Sequence, residues 1–250
     1  KKVTADAEEM GRVIREVQDE AEKAKRDVLT WAEAAQAVDI LQNSISELQA
    51  ALTEMTADYQ TSVVAQTQLA TIMRQRMGST EEEIQSIRDL CSAQQELGVV
   101  EDDIAASGAQ QMATFLKQKQ SLDVLIPAMN NLIAQQDGLN DTVQGAVSIG
   151  NMMGKAMQGQ TEVLQRVGIT FDETQKQVLQ YGTETERAAM LAEVITANVG
   201  NMNEELGKTD AGKQKQLENT LGDIKEQLGS MVQGAMPFVT IAAQTMICVA

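Results

Sequence analysis

Carboxylates are the commonest side chains in this chain that could do acid–base chemistry. The 250 residues include 36 acidic and 20 basic side chains, for a formal net charge of −16, and no histidine. Without histidine, Ser-His-Asp and Cys-His catalysis, histidine-containing zinc sites and histidine general bases are excluded. Two carboxylates alone can support glycoside hydrolysis, for which the candidates are Glu101, Asp102, Asp103 and Glu173.

No spacing singles out a catalytic pair among these four residues, and their positions are typical of helix caps, turns and solvated faces. They also lack the alternating oxygen ligands and the central glycine of an EF-hand loop. We therefore predict no catalytic residue, no metal and no cofactor. The protein is predicted not to be an enzyme.

The two cysteines, Cys91 and Cys248, lie far apart and form no CxxC pair. This spacing predicts neither a zinc site nor a redox dithiol, and we interpret both residues as small buried hydrophobic side chains. Nucleic-acid binding is also not expected. The chain is strongly acidic, and its six aromatic residues (Trp 1, Tyr 2, Phe 3) offer few stacking platforms.

A glycine series within residues 145–159 allows two interpretations. It is not a phosphate loop, because no strand precedes it and Gly154-Lys155 lacks both the upstream glycine in frame and a following Ser or Thr. The other interpretation is a stripe of small residues that lets helices pack closely. We predict helix packing for the whole series: Gly145, Gly150, Gly154 and Gly159.

The elements that would carry these residues are helical. Aromatic residues make up 2% of the chain and there are two prolines, which argues against a β-sandwich or barrel. Apolar residues of the first stretch alternate spacings of four and three, with one short step from Val38 to Leu41, as in a coiled coil with a local overwinding. Its seam includes Met10, Ile14, Val17, Val28, Trp31 and Val38.

Shorter helices are predicted after residue 77, because 16 of the 17 glycines lie at or beyond Gly78. We expect a capping box with Ser79 as the cap and Glu82 reaching back, followed by a helix that stops at Gly98. A second helix is expected from about 104 to 125. Pro127 then lies in the first turn of a third helix, which ends near Gly138.

Three further helix starts are expected. The sequences at 170–173 (TFDE) and 183–186 (TETE) read as capping boxes at Thr170 and Thr183, and the second helix should stop at Gly200. A final amphipathic helix should begin near Thr209 or Asp210. Its apolar face carries Leu217, Leu221, Ile224 and Leu228.

No charged residue occurs in 230–250, which is bracketed by apolar runs. If the chain continued in this way, it would reach the roughly 20 apolar residues of a membrane span. Two interpretations stay open, a membrane-active segment and a buried core helix. The chain starts with Lys1 and ends inside an apolar run, so we take it as an internal piece of a longer protein.

The predicted fold class is all-α, with a long N-terminal coiled-coil helix followed by a core of shorter, glycine-punctuated helices. Three regions follow from the pattern. They are a coiled-coil arm (1–58), a helical core (59–229) and an apolar segment (230–250) that starts a candidate membrane-active region.

Residues 64–230 resemble the core of phage tail tape-measure proteins, which are long helical proteins inside the tails of bacteriophages and prophages. The order and spacing of several short motifs carry this resemblance. They are 72–78 (IMRQRMG), 107–111 (SGAQQ), 125–129 (LIPAM), 149–150 (IG), 154–159 (GKAMQG), 166–169 (RVGI), 181–182 (YG), Arg187, 216–217 (QL), 219–224 (NTLGDI) and 227–229 (QLG).

The resemblance implies a protein in the lumen of the tail tube that sets tail length, templates tube assembly and is ejected ahead of the DNA. It implies no catalytic residue in this core. Implied partners are other copies of the chain, tail-tube and tail-tip proteins, assembly chaperones and the host membrane. The implied location is the virion, and the host cytoplasm during assembly. Two alternatives stay open, a pore-forming helical protein and a cell-wall hydrolase that uses carboxylates alone.

Overall fold

The computed structural model describes the backbone of residues 31–249, with side chains at residue 50 and residues 53–231. Every regular element in the described part is an α-helix, so the predicted all-α fold class is confirmed. In chain order the helices are α1 (Trp31–Met77), α2 (Glu81–Leu97), α3 (Asp102–Ala113), α4 (Lys119–Asp137), α5 (Val143–Ala156), α6 (Glu162–Gln165), α7 (Glu173–Tyr181), α8 (Glu184–Val199), α9 (Met202–Gly207) and α10 (Asp210–Val249).

The chain divides into two compact units, residues 1–53 and 54–250. In its described part, the first unit is the beginning of α1. No helix boundary falls at 58/59 or at 229/230, because α1 and α10 run through these positions. The predicted regions therefore do not coincide with separate secondary-structure elements.

Helix α4 lies at the centre of the second unit. It packs against α8, α9, α5, α2 and α3, and most of its residues are buried. The apolar side chains it places in the core have no exposed surface: Leu122, Leu125, Ile126, Met129, Leu132 and Ile133. Leu69, Ala70 and Met73 of α1 belong to the same core. Helix α4 carries buried residues around most of its circumference, as expected of a helix that other elements surround.

Several predicted helix ends are confirmed. Gly98, Gly138 and Gly200 are the C-caps of α2, α4 and α8. Thr183 caps α8, with Glu186 completing the box. The final helix begins at Asp210, as expected. At these positions the capping residues alone predict where the helix begins or ends, without knowledge of tertiary contacts.

Two predicted capping residues were wrong by one or two positions. Helix α2 is capped by Thr80 and Glu83, not by Ser79 and Glu82. Thr80 has the extended backbone of an N-cap residue, and its hydroxyl accepts a hydrogen bond from the backbone nitrogen of Glu83. Ser79 is buried instead. Helix α7 is capped by Asp172, with Gln175 reaching back, and not by Thr170.

The predicted helix from 104 to 125 was also wrong, because the chain breaks between α3 and α4. The backbone nitrogens of Thr114, Phe115 and Leu116 each donate to the carbonyl three residues earlier, which tightens the end of α3 into a turn. As a result, Pro127 lies inside α4 and not in a first turn. No helix in the described part of the chain is long and apolar enough to cross a membrane.

Candidate functional site

Acidic side chains from separate parts of the described chain form an acidic cluster at the start of α3. We define it as Glu101, Asp102, Asp103, Asp141, Asp223 and Glu226. Three of these residues come from the first turn of α3, one from the α4–α5 connection and two from α10. The candidate carboxylates Glu101, Asp102 and Asp103 thus meet other acids that are distant in sequence.

Asp141 is a buried member of the acidic cluster. Its side chain is 1% exposed, and one carboxylate oxygen lies 2.9 Å from the Nζ of Lys215. The other oxygen accepts a hydrogen bond of 2.9 Å from the backbone nitrogen of Glu101, the N-cap residue of α3. Asp141 therefore caps α3 from a distance and neutralises part of its charge with Lys215.

Asp102 and Asp223 also accept hydrogen bonds from protein groups. Asp102 accepts a hydrogen bond of 2.7 Å from the hydroxyl of Ser92, and its backbone nitrogen donates to the Oε1 of Gln95. The amide nitrogen of the same glutamine donates to Asp223 at 2.7 Å. These bonds tie α2, α3 and α10 together through a single side chain.

Burial weakens the ionisation of four acids in the cluster. Loss of solvation, followed by the charge of Asp141, raises the pKa of Glu101 to about 7. Loss of solvation is also the main reason that the pKa of Glu226 rises to about 7. Burial raises the pKa of Asp103 and of Asp223 as well. The cluster therefore takes up protons near neutral pH.

The geometry of the acidic cluster is that of a structural junction. Its oxygens face backbone nitrogens, amides, a hydroxyl and one lysine, and no group of three or more His, Cys, Asp or Glu in the described chain could hold a metal ion. The fourth candidate carboxylate lies elsewhere: Glu173 is in the exposed first turn of α7, 2.7 Å from the Nζ of Lys176.

Cys91 is buried among the side chains of the core. Burial raises the pKa of its thiol to about 12, with further contributions from Asp102 and Asp103. A thiol of this kind is neither a nucleophile nor a ready metal ligand at neutral pH. It behaves as the small hydrophobic residue expected from the sequence. The side chain of Cys248 lies outside the described residues.

Three members of the glycine series lie where a side chain would collide with a neighbour. A Cβ at Gly150 would meet the carbonyl of Gly108 in α3, and one at Gly154 would meet the ring of Phe115. A Cβ at Gly145 would meet the carboxylate of Asp137. The close approach of α5 to α3 at Gly150 thus depends on the absence of side chains at that crossing.

Helix packing does not apply to Gly159. This residue lies beyond the end of α5 in a turn, with a φ of +87° that glycine adopts without strain. The coiled-coil seam is described only in part. Met10, Ile14, Val17 and Val28 lie outside the described residues, whereas Trp31 and Val38 are in α1 without described side chains.

Asn203 is a structural centre that sequence reasoning missed. Its Oδ1 accepts hydrogen bonds from the backbone nitrogens of Val99 (2.8 Å) and Val100 (3.1 Å), and its Nδ2 donates to the carbonyl of Gln94. The backbone nitrogen of Asn203 donates in turn to the Oδ1 of Asn131. All hydrogen-bond partners of Asn203 are at least 72 residues away in the sequence, so no local pattern predicts this contact. The one related signal is the glycine at position 98, which precedes two of these partners.

Two shallow grooves also occur on the described surface. One follows α1 and is lined by Thr67, Thr71, Ile72 and Gln110, among others. The other, with a volume of about 630 Å³, lies between α7 and α8 beside Tyr181, whose side chain is 78% exposed. Both are wide open, in contrast to the enclosed pockets that bind small molecules.

Comparison with known proteins gives no relative. No family model matches the chain, no curated protein matches it, and no solved structure resembles it significantly.

Proposed function

We propose that the protein is a structural ruler and scaffold of a bacteriophage or prophage tail, in which its own length sets the length of the tail tube. The observation that carries the proposal is the nature of the fold. Every regular element of the described chain is an α-helix, and the first and last of these helices have 47 and 40 residues. A helix gives a length proportional to residue number, at about 1.5 Å per residue.

The chemistry of the described residues supports a structural role. The acidic cluster uses its carboxylates to join α2, α3 and α10, and the thiol of Cys91 is buried and protonated. Under this proposal the protein catalyses no reaction. Its partners are further copies of the chain, tail-tube and tail-tip proteins and assembly chaperones, and its location is the lumen of the tail.

The charge of the chain fits passage of DNA along the same tube. With a formal net charge of −16, the protein repels the phosphate backbone that follows it. In the proposed sequence of events it leaves the tube before the genome. Assembly and ejection would then require the packed helices of the second unit to separate.

The proposal is tested by deleting the coding region in the parent phage or prophage and imaging the particles. We expect tube subunits that form no tails, or tails of irregular length, and restored tails when the gene is supplied in trans. Regular tails of unchanged length in the deletion strain would contradict it.

A membrane-active helical protein is the second candidate. The uncharged run at 230–250 favours it, although no described helix meets the requirements of a membrane span. Leakage of a dye from vesicles tests this function directly. Leakage caused by the chain, together with tails of normal length in the deletion strain, would replace the first proposal with the second.

A further inference from the structure

The last helix turns its polar face inward. Within residues 210–231, where the side chains of α10 are described, the buried residues are Gly212, Asn219 and Gly229. The amide of Asn219 donates to the carbonyl of Val99, and a Cβ at Gly229 would meet the carbonyl of Met55. An amphipathic helix on a protein surface normally shows the opposite arrangement, with its apolar face against the core.

The outward face of α10 is correspondingly apolar. We call its five large side chains the α10 stripe, and their exposed fractions are 60% for Leu217, 49% for Leu221, 47% for Ile224, 39% for Leu228 and 40% for Met231. Isolated exposed hydrophobic residues are common, but a continuous row of them marks an interaction surface.

The spacing of the α10 stripe indicates what kind of surface fits it. Successive members are four, three, four and three residues apart, which is the a/d pattern of a coiled coil. In this pattern Leu221 and Leu228 occupy a positions, and Leu217, Ile224 and Met231 occupy d positions. Such a row packs best against a second helix with the same spacing.

One charged pair beside the α10 stripe favours a parallel second copy. In a parallel pair, Lys213 at a g position meets Glu218 of the second copy at the following e position, and the next such pair, Thr220 with Lys225, contains no like charges. Lys213 is available for this contact, because its side chain is 65% exposed and its nearest acid, Asp210, is 4.0 Å away.

In an antiparallel pair, Glu218 would lie next to Lys225 of the second copy. The Nζ of Lys225, however, already lies 2.8 Å from Glu54 of its own chain. We therefore propose that two or more copies of this chain associate through the α10 stripe, as a parallel, in-register coiled coil.

This inference goes beyond the proposed ruler function, which names further copies of the chain as partners but no surface that joins them. It concerns association through α10, which is measured on the purified protein without phage particles. A failed tail-length experiment would leave it standing, and its own failure would leave the ruler proposal standing.

The first test compares the association of variants of the 250-residue chain by sedimentation equilibrium. We expect Leu221→Glu combined with Leu228→Glu to weaken association at least tenfold, since four or more charges would enter the shared apolar layer. Val143→Glu is the matched control. Val143 is 47% exposed and lies on α5, and it is not a member of the α10 stripe, so its substitution should leave association unchanged.

The second test reads the register. In a Cys248→Ser background, Leu228→Cys should form a disulfide with the same position of a second copy under mild oxidation, because equivalent a positions are adjacent in a parallel pair. Val143→Cys should not. Circular dichroism and urea midpoints of all variants establish that the monomer fold is intact, as expected for substitutions at exposed positions.

Three results would overturn the proposal. The first is association that the double glutamate variant leaves unchanged, and the second is absence of the disulfide at position 228. The third is a disulfide that forms only when Leu217→Cys is combined with Leu228→Cys, as an antiparallel pair requires. Co-flotation with phosphatidylcholine vesicles that the double variant abolishes, with no association between copies in solution, would overturn it as well and would assign the stripe to a membrane.

Discussion

The side chain of Asn203 occupies the space that a Cβ at position 98 would need. Its amide group lies directly against the Cα of Gly98, and it binds the two backbone nitrogens that follow this glycine. Helix α2 thus ends at a glycine because a distant asparagine satisfies its terminus. The arrangement explains why α9, a helix of six residues, is held firmly against the core.

Replacement of Gly98 by alanine should destabilise the protein by about 2 kcal/mol, as is typical of overpacking at a tight site. Its φ of −134° is accessible to alanine, so the loss would come from collision with Asn203 and not from backbone strain. Gly222→Ala is the matched control, because open space surrounds its Cβ and alanine favours the helix there. Urea denaturation measures both. Equal stability of the two variants would contradict this account.

Removal of the Asn203 side chain should cost about 2–4 kcal/mol, since Asn203→Ala leaves the nitrogens of Val99 and Val100 buried without acceptors. Asn201→Ala is the control. That residue is the N-cap of α9, but its side chain makes no capping hydrogen bond, and it is exposed. Hydrogen exchange provides a second readout. The amides of Val99 and Val100 should lose protection in the Asn203 variant only, and unchanged protection would show that other groups hold this turn.

The carboxylate of Glu184 caps a helix other than its own. It accepts hydrogen bonds from the backbone nitrogens of Lys117 and Gln118 (3.0 and 2.9 Å) and from the hydroxyl of Ser121. We expect Glu184→Ala to destabilise the protein by about 1–2 kcal/mol, the usual cost of a lost N-cap. Glu193→Ala removes an exposed acid from the same helix and should change stability by less than about 0.5 kcal/mol. Thermal unfolding distinguishes the two, and equal melting temperatures would argue against the cap.

Stability should fall as pH rises from 5 to 8. Glu101 and Glu226 have folded-state pKa values of about 7, above the ordinary 4.5, so the folded chain holds more protons than the unfolded chain between these values. The stabilisation is complete below pH 4.5 and is lost as pH rises through 7. Each carboxyl should contribute about 1–2 kcal/mol after solvent screening.

The pH dependence should flatten in Glu101→Gln and Glu226→Gln, because an amide cannot ionise. Glu173→Gln serves as the control, since Glu173 lies outside the acidic cluster in an exposed turn. Urea midpoints at half-unit pH steps measure the effect. A wild-type stability that is constant or increases between pH 5 and 8 would refute this assignment.

Sequence predicted the fold class and the helix ends that depend on local chemistry. Gly98, Gly138, Gly200 and Thr183 act within one turn of their own helix, so their roles are visible in a short stretch of residues. The break between α3 and α4 was not predicted, because the contact that stabilises it is distant in sequence. The stabilising group is the carboxylate of Glu184, which is 66 residues from Gln118.

The direction of α10 also escaped prediction. The row from Leu217 to Leu228 identified an amphipathic helix, but periodicity alone does not say which face meets the core. The inward face is set by tertiary contacts of Asn219 and Gly229. Likewise, single carboxylates such as Asp141 and Glu226 gave no signal of the acidic cluster, because α10 and the α4–α5 connection bring them to α3 only in the folded chain.

The most direct test of the ruler proposal is a change in the length of the arm. Duplication of residues 31–58 in the parent phage adds 28 residues, or four heptads, and should lengthen the tail by about 40 Å at a helical rise of 1.5 Å per residue. Removal of the same residues should shorten it equally, and synonymous recoding should leave it unchanged. Electron microscopy of purified particles measures the distribution. Tail lengths that are identical in all three strains would contradict the proposal.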